Sequence, residues 1–274
     1  MTEVSTAQPG VLSQAQIDEF HERGILQVDF GFAPGLLETI KTRVYPHYPA
    51  DFRNGKVDNT RLQDAWKCVD EARQLAADPR VLAALEQLLG RKALPFQTLN
   101  FPVGTRQLAH SDTIHFSTLP AGYMVGVWVA LEDIDAENGP LIYYPGSQKL
   151  PYYGMHDFDL EPGYHNYHIY EQRIQELIEK EGFEPEYGTI KKGQAIIWHA
   201  NVLHGGAPQK DMSRSRHSQV THYYFDGCKY YTPMESTADE KTYRQPEWIT
   251  NQPYQMPEQP GFLRRVLRKL GVAT

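Results

Sequence analysis

MVGVWVALEDIDAENGPLIYYPGS, residues 124–147, decides the fold. It begins with a short run rich in β-branched and aromatic residues, passes through Asp, Asn, Gly and Pro, and resumes with a second such run. That is how two strands joined by a loop read. The same texture recurs on both sides, in FQTLNF (96–101), AIIWHANVLH (195–204) and SQVTHYYF (218–225). Several short strands separated by turn residues predict a mainly β domain from about residue 91 to 230. A helix expected at 169–181, stopped by Gly182, reads as a polar insertion in that series.

Upstream the pattern changes to helical spacing. Ser13 suits the cap of a helix that Gly24 ends, ILQVDF (25–30) reads as a strand, and Pro34 opens a second helix. Residues 45–60 read as a polar loop, and 62–90 as two further helices with Pro79 in the first turn of the second. The expected organisation is a flexible start (1–10), one domain over 11–250 with a helical shoulder over about 11–90, and a tail (251–274). The tail ends in a short basic helix, FLRRVLRKLG. Its expected role is to pack on its own domain or a second subunit, in preference to touching an anionic membrane.

The chain has 274 residues, 41% hydrophobic and 22% charged, which suits a folded protein. Its net charge of -7 argues against a nucleic-acid partner. Only two cysteines occur, Cys68 and Cys228, as expected in a reducing compartment. With no secretory leader and no apolar run of roughly 18 residues, the expectation is a cytoplasmic protein.

Chemistry enters at His110-Ser111-Asp112. On a strand, residues two apart share a face, so an imidazole and a carboxylate aim at one point. A third ligand would complete a two-histidine, one-carboxylate site with open positions, the arrangement of non-haem Fe(II) oxygenases. His204, where an apolar strand meets Gly205-Gly206, is the favoured third ligand over His199, which sits inside the strand. Beyond it, strand period places Arg216, Ser218, Val220, His222 and Tyr224 on one face. An arginine turned inward needs an anion, and a dicarboxylic co-substrate supplies one. Arg214 is the alternative, as part of an exposed loop.

Taken together, LSQAQIDEFHERGILQV (12–28), His110-Ser111-Asp112, VGVWVALEDIDAENGPLIYYPGSQK (125–149) and His204-Gly205-Gly206 followed by an arginine and HYY resemble the phytanoyl-CoA dioxygenase family. The resemblance covers roughly residues 12–226. It implies a double-stranded β-helix, the cupin-like jelly-roll, with flanking helices. It also implies Fe(II) on His110, Asp112 and His204, 2-oxoglutarate on Arg216, and use of O2 to hydroxylate an unactivated C–H bond of a small organic substrate, releasing succinate and CO2. Gln97 and Trp128 match family positions near the co-substrate, although Gln97 facing outward and Trp128 as plain core are open alternatives. His115, Phe116 and Tyr143, with Tyr144 beside it, are candidates for the substrate wall, the two tyrosines equally for plain packing. A carboxylate at 112 argues against halogenation, for which related enzymes carry a small residue there. The competing readings are a zinc-dependent hydrolase on the same triad and a non-catalytic jelly-roll binding module. The tyrosine-rich segment 151–170 and the tail at 223–260 are expected to shape the substrate pocket.

Overall fold

The chain is described by a computed structural model covering residues 11–53 and 60–255. Both the expected flexible start and the basic C-terminal helix lie outside the described residues.

The helical shoulder contains α1 (Gln14–Arg23), α2 (Pro34–Val44), α3 (Ala50–Arg53), α4 (Asp70–Ala76) and α5 (Pro79–Leu89). Ser13 caps α1 in a capping box with Gln16, and Gly24 closes it in the left-handed conformation, as the sequence suggests. Two expectations need correction. Residues 45–53 are not a simple loop: a 3-10 turn at Tyr45–His47 leads to α3, and apolar burial of Tyr48 anchors the segment. Residues 62–63 are not helical; they add an edge strand to the main sheet.

The strands are β1 (Ile25–Asp29), β2 (Leu62–Gln63), β3 (Ala93–Phe101), β4 (Ser117–Leu119), β5 (Met124–Ala130), β6 (Leu141–Tyr143), β7 (Glu186–Gly188), β8 (Gln194–His199), β9 (His204–Gly206), β10 (Ser218–Phe225) and β11 (Lys229–Tyr231). Six form an antiparallel sheet in the order β1-β8-β5-β10-β3-β2. A smaller sheet, β7-β6-β9, and the pair β11-β4 complete the jelly-roll.

Alternation along β5 sorts the two faces of the large sheet. Val125, Val127 and Val129 join Leu37, Ile40, Leu75 and Leu85 in one core under the helices. Each such buried side chain contributes about 1.5–3 kcal/mol, so shoulder and sheet stabilise each other. Trp128 and Ala130 turn the other way, into a second core with Ile196, Trp198 and Val220. At Gly126 a Cβ would lie 2.3 Å from the Trp198 ring on the neighbouring strand, so the missing side chain makes room for that indole.

Helix α6 (Tyr167–Glu181) is more than a polar insertion. Tyr170, Ile174, Leu177 and Ile178 are buried in a third core with Met155 and Leu203, so one apolar face pins the helix beside the small sheet.

Candidate active site

His110, Asp112 and His204 converge with one donor atom from each within 4.8 Å of the others, all three buried. The route to this convergence differs from the strand spacing read in the sequence. His110 lies outside the strands and forms a single bridge with His204, each backbone N–H donating to the other's carbonyl at 2.9 Å. Asp112 opens a 3-10 turn, Asp112–Ile114, that swings its carboxylate inward. Nor does the apolar strand run on into His204. β8 ends at His199, and His204 starts β9 in the other sheet, so the two histidines belong to different walls. The glycines after His204 are a packing requirement. A Cβ at Gly205 would meet the Gln107 carbonyl oxygen at 2.5 Å, and the segment carrying His110 passes at that spot.

Both imidazoles are oriented from behind. His110 Nδ1 lies 3.1 Å from the Leu108 carbonyl and His204 Nδ1 lies 3.0 Å from that of Val202. With Nδ1–H donating there, each Nε2 presents a lone pair to the centre, as a metal requires. Asp112 faces the Nε2 atoms of His110 and His204 at 3.7 Å each. Burial opposes its charge, but His204, His110 and His222 around it hold the carboxyl well below its ordinary value, so it is ionised. Burial pushes His204 down to about 4, leaving it neutral and free to ligate.

Sequence reasoning missed the group that orients the carboxylate. Trp198 Nε1–H donates to Asp112 Oδ2 at 2.8 Å, with both groups buried. His222 Nε2 lies 3.6 Å from the same oxygen. Gln97 lines the cavity, and its Oε1 accepts from His222 Nδ1 at 3.0 Å.

The triad opens on a cavity of about 450 Å³ whose wall includes Arg216, Gln97, Trp128, His115 and Phe116. Arg216 is 4% exposed. Its guanidinium sits 5.4 Å from the Trp128 ring centroid and 5.6 Å from that of Phe101. Nη1 donates to Ser218 Oγ at 2.8 Å, while Nε is buried without a partner. Among the described residues no carboxylate forms an ion pair with it. Burial pushes the guanidinium down to about 10, which still leaves it charged at neutral pH. Arg214 instead makes a two-pronged, partly exposed pair with Asp135, 2.9 Å on each side, away from the cavity.

Three candidates lie elsewhere. Tyr143 packs in the second core with Trp198 and Val202, because β6 turns it between the sheets. Tyr144 joins the third core, and His199 accepts from the Asn201 N–H beside Tyr152. The positions that the tyrosine-rich segment and the tail do supply are Tyr164, Tyr167 and Arg244. Thr105, Gln107 and Arg61 also line the cavity; no motif marks them.

A jelly-roll that holds two histidines, one carboxylate and a buried arginine around a single cavity defines the class of non-haem iron oxygenase folds. The sequence profile of "Phytanoyl-CoA dioxygenase (PhyH)" matches residues 9–218. The chain belongs to the phytanoyl-CoA dioxygenase family. It is 25% identical over 198 residues to the peroxisomal phytanoyl-CoA dioxygenase of Rattus norvegicus, covering 68% of this chain and 55% of that one. It is 26% identical over 227 residues to the ectoine dioxygenase of Halomonas elongata, covering 72% and 65%. The chain spans about half the length of the phytanoyl-CoA dioxygenases it matches. Among solved structures, EctD from S. alaskensis with 2-oxoglutarate and 5-hydroxyectoine superimposes with a TM-score of 0.63 at 18% identity, covering 93% of this chain and 89% of that one. The epimerase SnoN with Fe3+, alpha ketoglutarate and nogalamycin RO gives 0.62 at 18%, covering 84% and 94%. These likenesses establish the fold. Among the described residues no helix is long and apolar enough to cross a membrane.

Proposed function

We propose that this chain is an Fe(II)- and 2-oxoglutarate-dependent dioxygenase that hydroxylates a C–H bond of a small organic substrate. His110, Asp112 and His204 would hold the metal, and Arg216 the distal carboxylate of 2-oxoglutarate. One observation carries the reading: a buried arginine that forms no carboxylate ion pair among the described residues, its Nε unpaired, shares its cavity with a buried pair of histidines and a carboxylate. A hydrolytic zinc site would leave that arginine unexplained, and a mere binding module would leave the three aligned donors unexplained.

Bound in this site, iron and co-substrate supply the oxidising power that activates O2. The protein supplies binding and order. Arg216 offers a planar pair of donors to a carboxylate, and Trp128 and Phe101 shield that contact from water. Trp198 fixes Asp112, and the two backbone carbonyls fix the histidine rings. His115 and Phe116, following Asp112 in the chain, stand beside the triad and would hold the substrate's reacting carbon near it.

The proposal extends to the organisation of the chain as one oxygenase domain over residues 11–250, supported by the core shared between shoulder and sheet. It includes a cytoplasmic setting, supported by two free cysteines.

The test is anaerobic addition of Fe(II) and 2-oxoglutarate, reading the weak visible metal-to-ligand charge-transfer band. The wild-type protein should develop it, and His110→Ala or Asp112→Ala should not. Wild-type protein that binds both components without the band would refute the reading.

A further inference from the structure

Three arginines line the cavity, and the proposed chemistry uses one. The remaining two, Arg61 and Arg244, arrive from opposite ends of the chain. Arg61 immediately precedes β2, whose Gln63 also lines the cavity. Residues two apart on an extended segment share a face, so both exposed side chains border the cavity from the sheet edge. Arg244 is delivered by a backbone clamp: its N–H donates to the Tyr230 carbonyl at 2.8 Å, and Thr232 N–H donates to the Thr242 carbonyl at 3.0 Å. Its guanidinium lies 4.8 Å from the centroid of Phe116 and donates to Thr232 Oγ1 at 3.2 Å. Among the described residues neither arginine forms an ion pair with a carboxylate.

The charge balance is informative, and it rests on the oxygenase reading. The metal's two positive charges and that of Arg216 are matched by Asp112 and the two carboxylates of 2-oxoglutarate. Asp112 is the one acidic side chain among the cavity's described lining residues. Glu171 lines an adjoining cavity together with Arg61 and Arg106, so the two arginines there outnumber the one carboxylate, whose carboxyl burial raises above the ordinary value. Arg61 and Arg244 therefore leave a positive excess over the space left for substrate, in a chain whose net charge is -7. Two guanidinium groups that line one partly enclosed cavity, with no carboxylate ion pair among the described residues, attract and orient an anion.

We propose that Arg61 and Arg244 form an anion-binding subsite for the substrate, which is an organic acid carrying a carboxylate or phosphate. The aromatic band of His115, Phe116, Tyr164 and Tyr167 receives its apolar part. Tyr164 stacks on His115 with ring centroids 5.9 Å apart, and Tyr167 leans against His115 at 5.1 Å with its plane tilted by 53°, which makes an aromatic lining suited to an apolar body.

The experiment uses the full-length chain loaded anaerobically with Fe(II) and the inert co-substrate analogue N-oxalylglycine, so that Arg216 is occupied. Binding of phenylacetate, phenyl phosphate and neutral phenylacetamide is then followed by calorimetry or ligand-observed NMR. At least one of the two anions should bind about tenfold or more tightly than the amide. The preferred anion distinguishes a carboxylate from a phosphate substrate. Arg61→Gln and Arg244→Gln should each shrink the preference, and the double variant should abolish it. Arg61→Lys and Arg244→Lys, which keep the charge, should retain part of it. N-oxalylglycine affinity should be unchanged throughout. Equal binding of amide and anions overturns the subsite, as does failure of both anions to bind at about 10 mM. A preference that survives the double Gln variant also overturns it. If N-oxalylglycine itself does not bind, the oxygenase reading falls, and the same titrations on the unloaded protein still decide the subsite.

Discussion

Trp198→Phe tests the site through a residue that positions an expected metal ligand without being one itself. The indole N–H donates to Asp112 Oδ2 at 2.8 Å, and the rest of the ring packs across Gly126 and against His204, with ring centroids 4.8 Å apart. Phenylalanine keeps most of that packing and deletes the donor. A hydrogen bond to a buried charged group contributes about 1.5–3 kcal/mol. If the carboxylate is held in ligating orientation by that bond, its loss weakens metal binding by about 10- to 100-fold, the range typical of groups that orient metal ligands. The assay is an anaerobic Fe(II) titration against a competing chelator, with Co(II) as a second, redox-stable ion. Thermal melts of the metal-free protein separate loss of affinity from loss of fold. A Trp198→Phe protein that melts like wild type and binds Fe(II) within about twofold of it would refute the assigned role of this bond.

Arg216→Ala should raise the 2-oxoglutarate concentration needed to develop the charge-transfer band by about 30-fold or more, since truncating one partner of a buried charge pair costs about 2–5 kcal/mol. Arg214→Ala, which breaks only a partly exposed pair with Asp135, should leave that concentration nearly unchanged; the reverse result would reassign the arginine. Gly126→Ala should destabilise the fold by about 1–3 kcal/mol in urea melts, because the new methyl collides with the Trp198 ring. Asp78 caps α5 by accepting from the Arg80 N–H. Burial raises its carboxyl, but hydrogen bonds and charge from Arg80 outweigh this and hold it below its ordinary 3.8, so its stabilisation is complete above that value and lost as pH falls through the lower, folded one. Asp78→Ala should therefore cost about 1 kcal/mol in urea unfolding at pH 7, and the gap should narrow in acid below the ordinary carboxylate range.

The β half was legible because its strands are short, aromatic and punctuated by Gly, Pro and Asn, and because period two placed Arg216 and His222 on one face. Both indeed line the cavity. The same period misdescribed how His110 and Asp112 meet. A one-residue bridge and a 3-10 turn put them together, and neither leaves a periodic trace. For Tyr143 the sequence left substrate wall and packing equally open, and the choice rests on tertiary contacts, which place it in the second core. Trp198 carries no motif beyond that of a buried strand tryptophan, and its hydrogen bond depends on the emptiness at Gly126, a strand away. Arg61 and Arg244 sit in weakly patterned sequence and gain meaning only from topology.

The reciprocal backbone bonds between His110 and His204 stitch two distant stretches of chain together through main-chain atoms alone. In many small metalloproteins the ion is the organiser, and removing it dissolves the structure. Here main-chain hydrogen bonds share that organising role. Because those bonds run between main-chain atoms, replacing either imidazole removes a metal donor without removing the crossing that sets the two segments side by side.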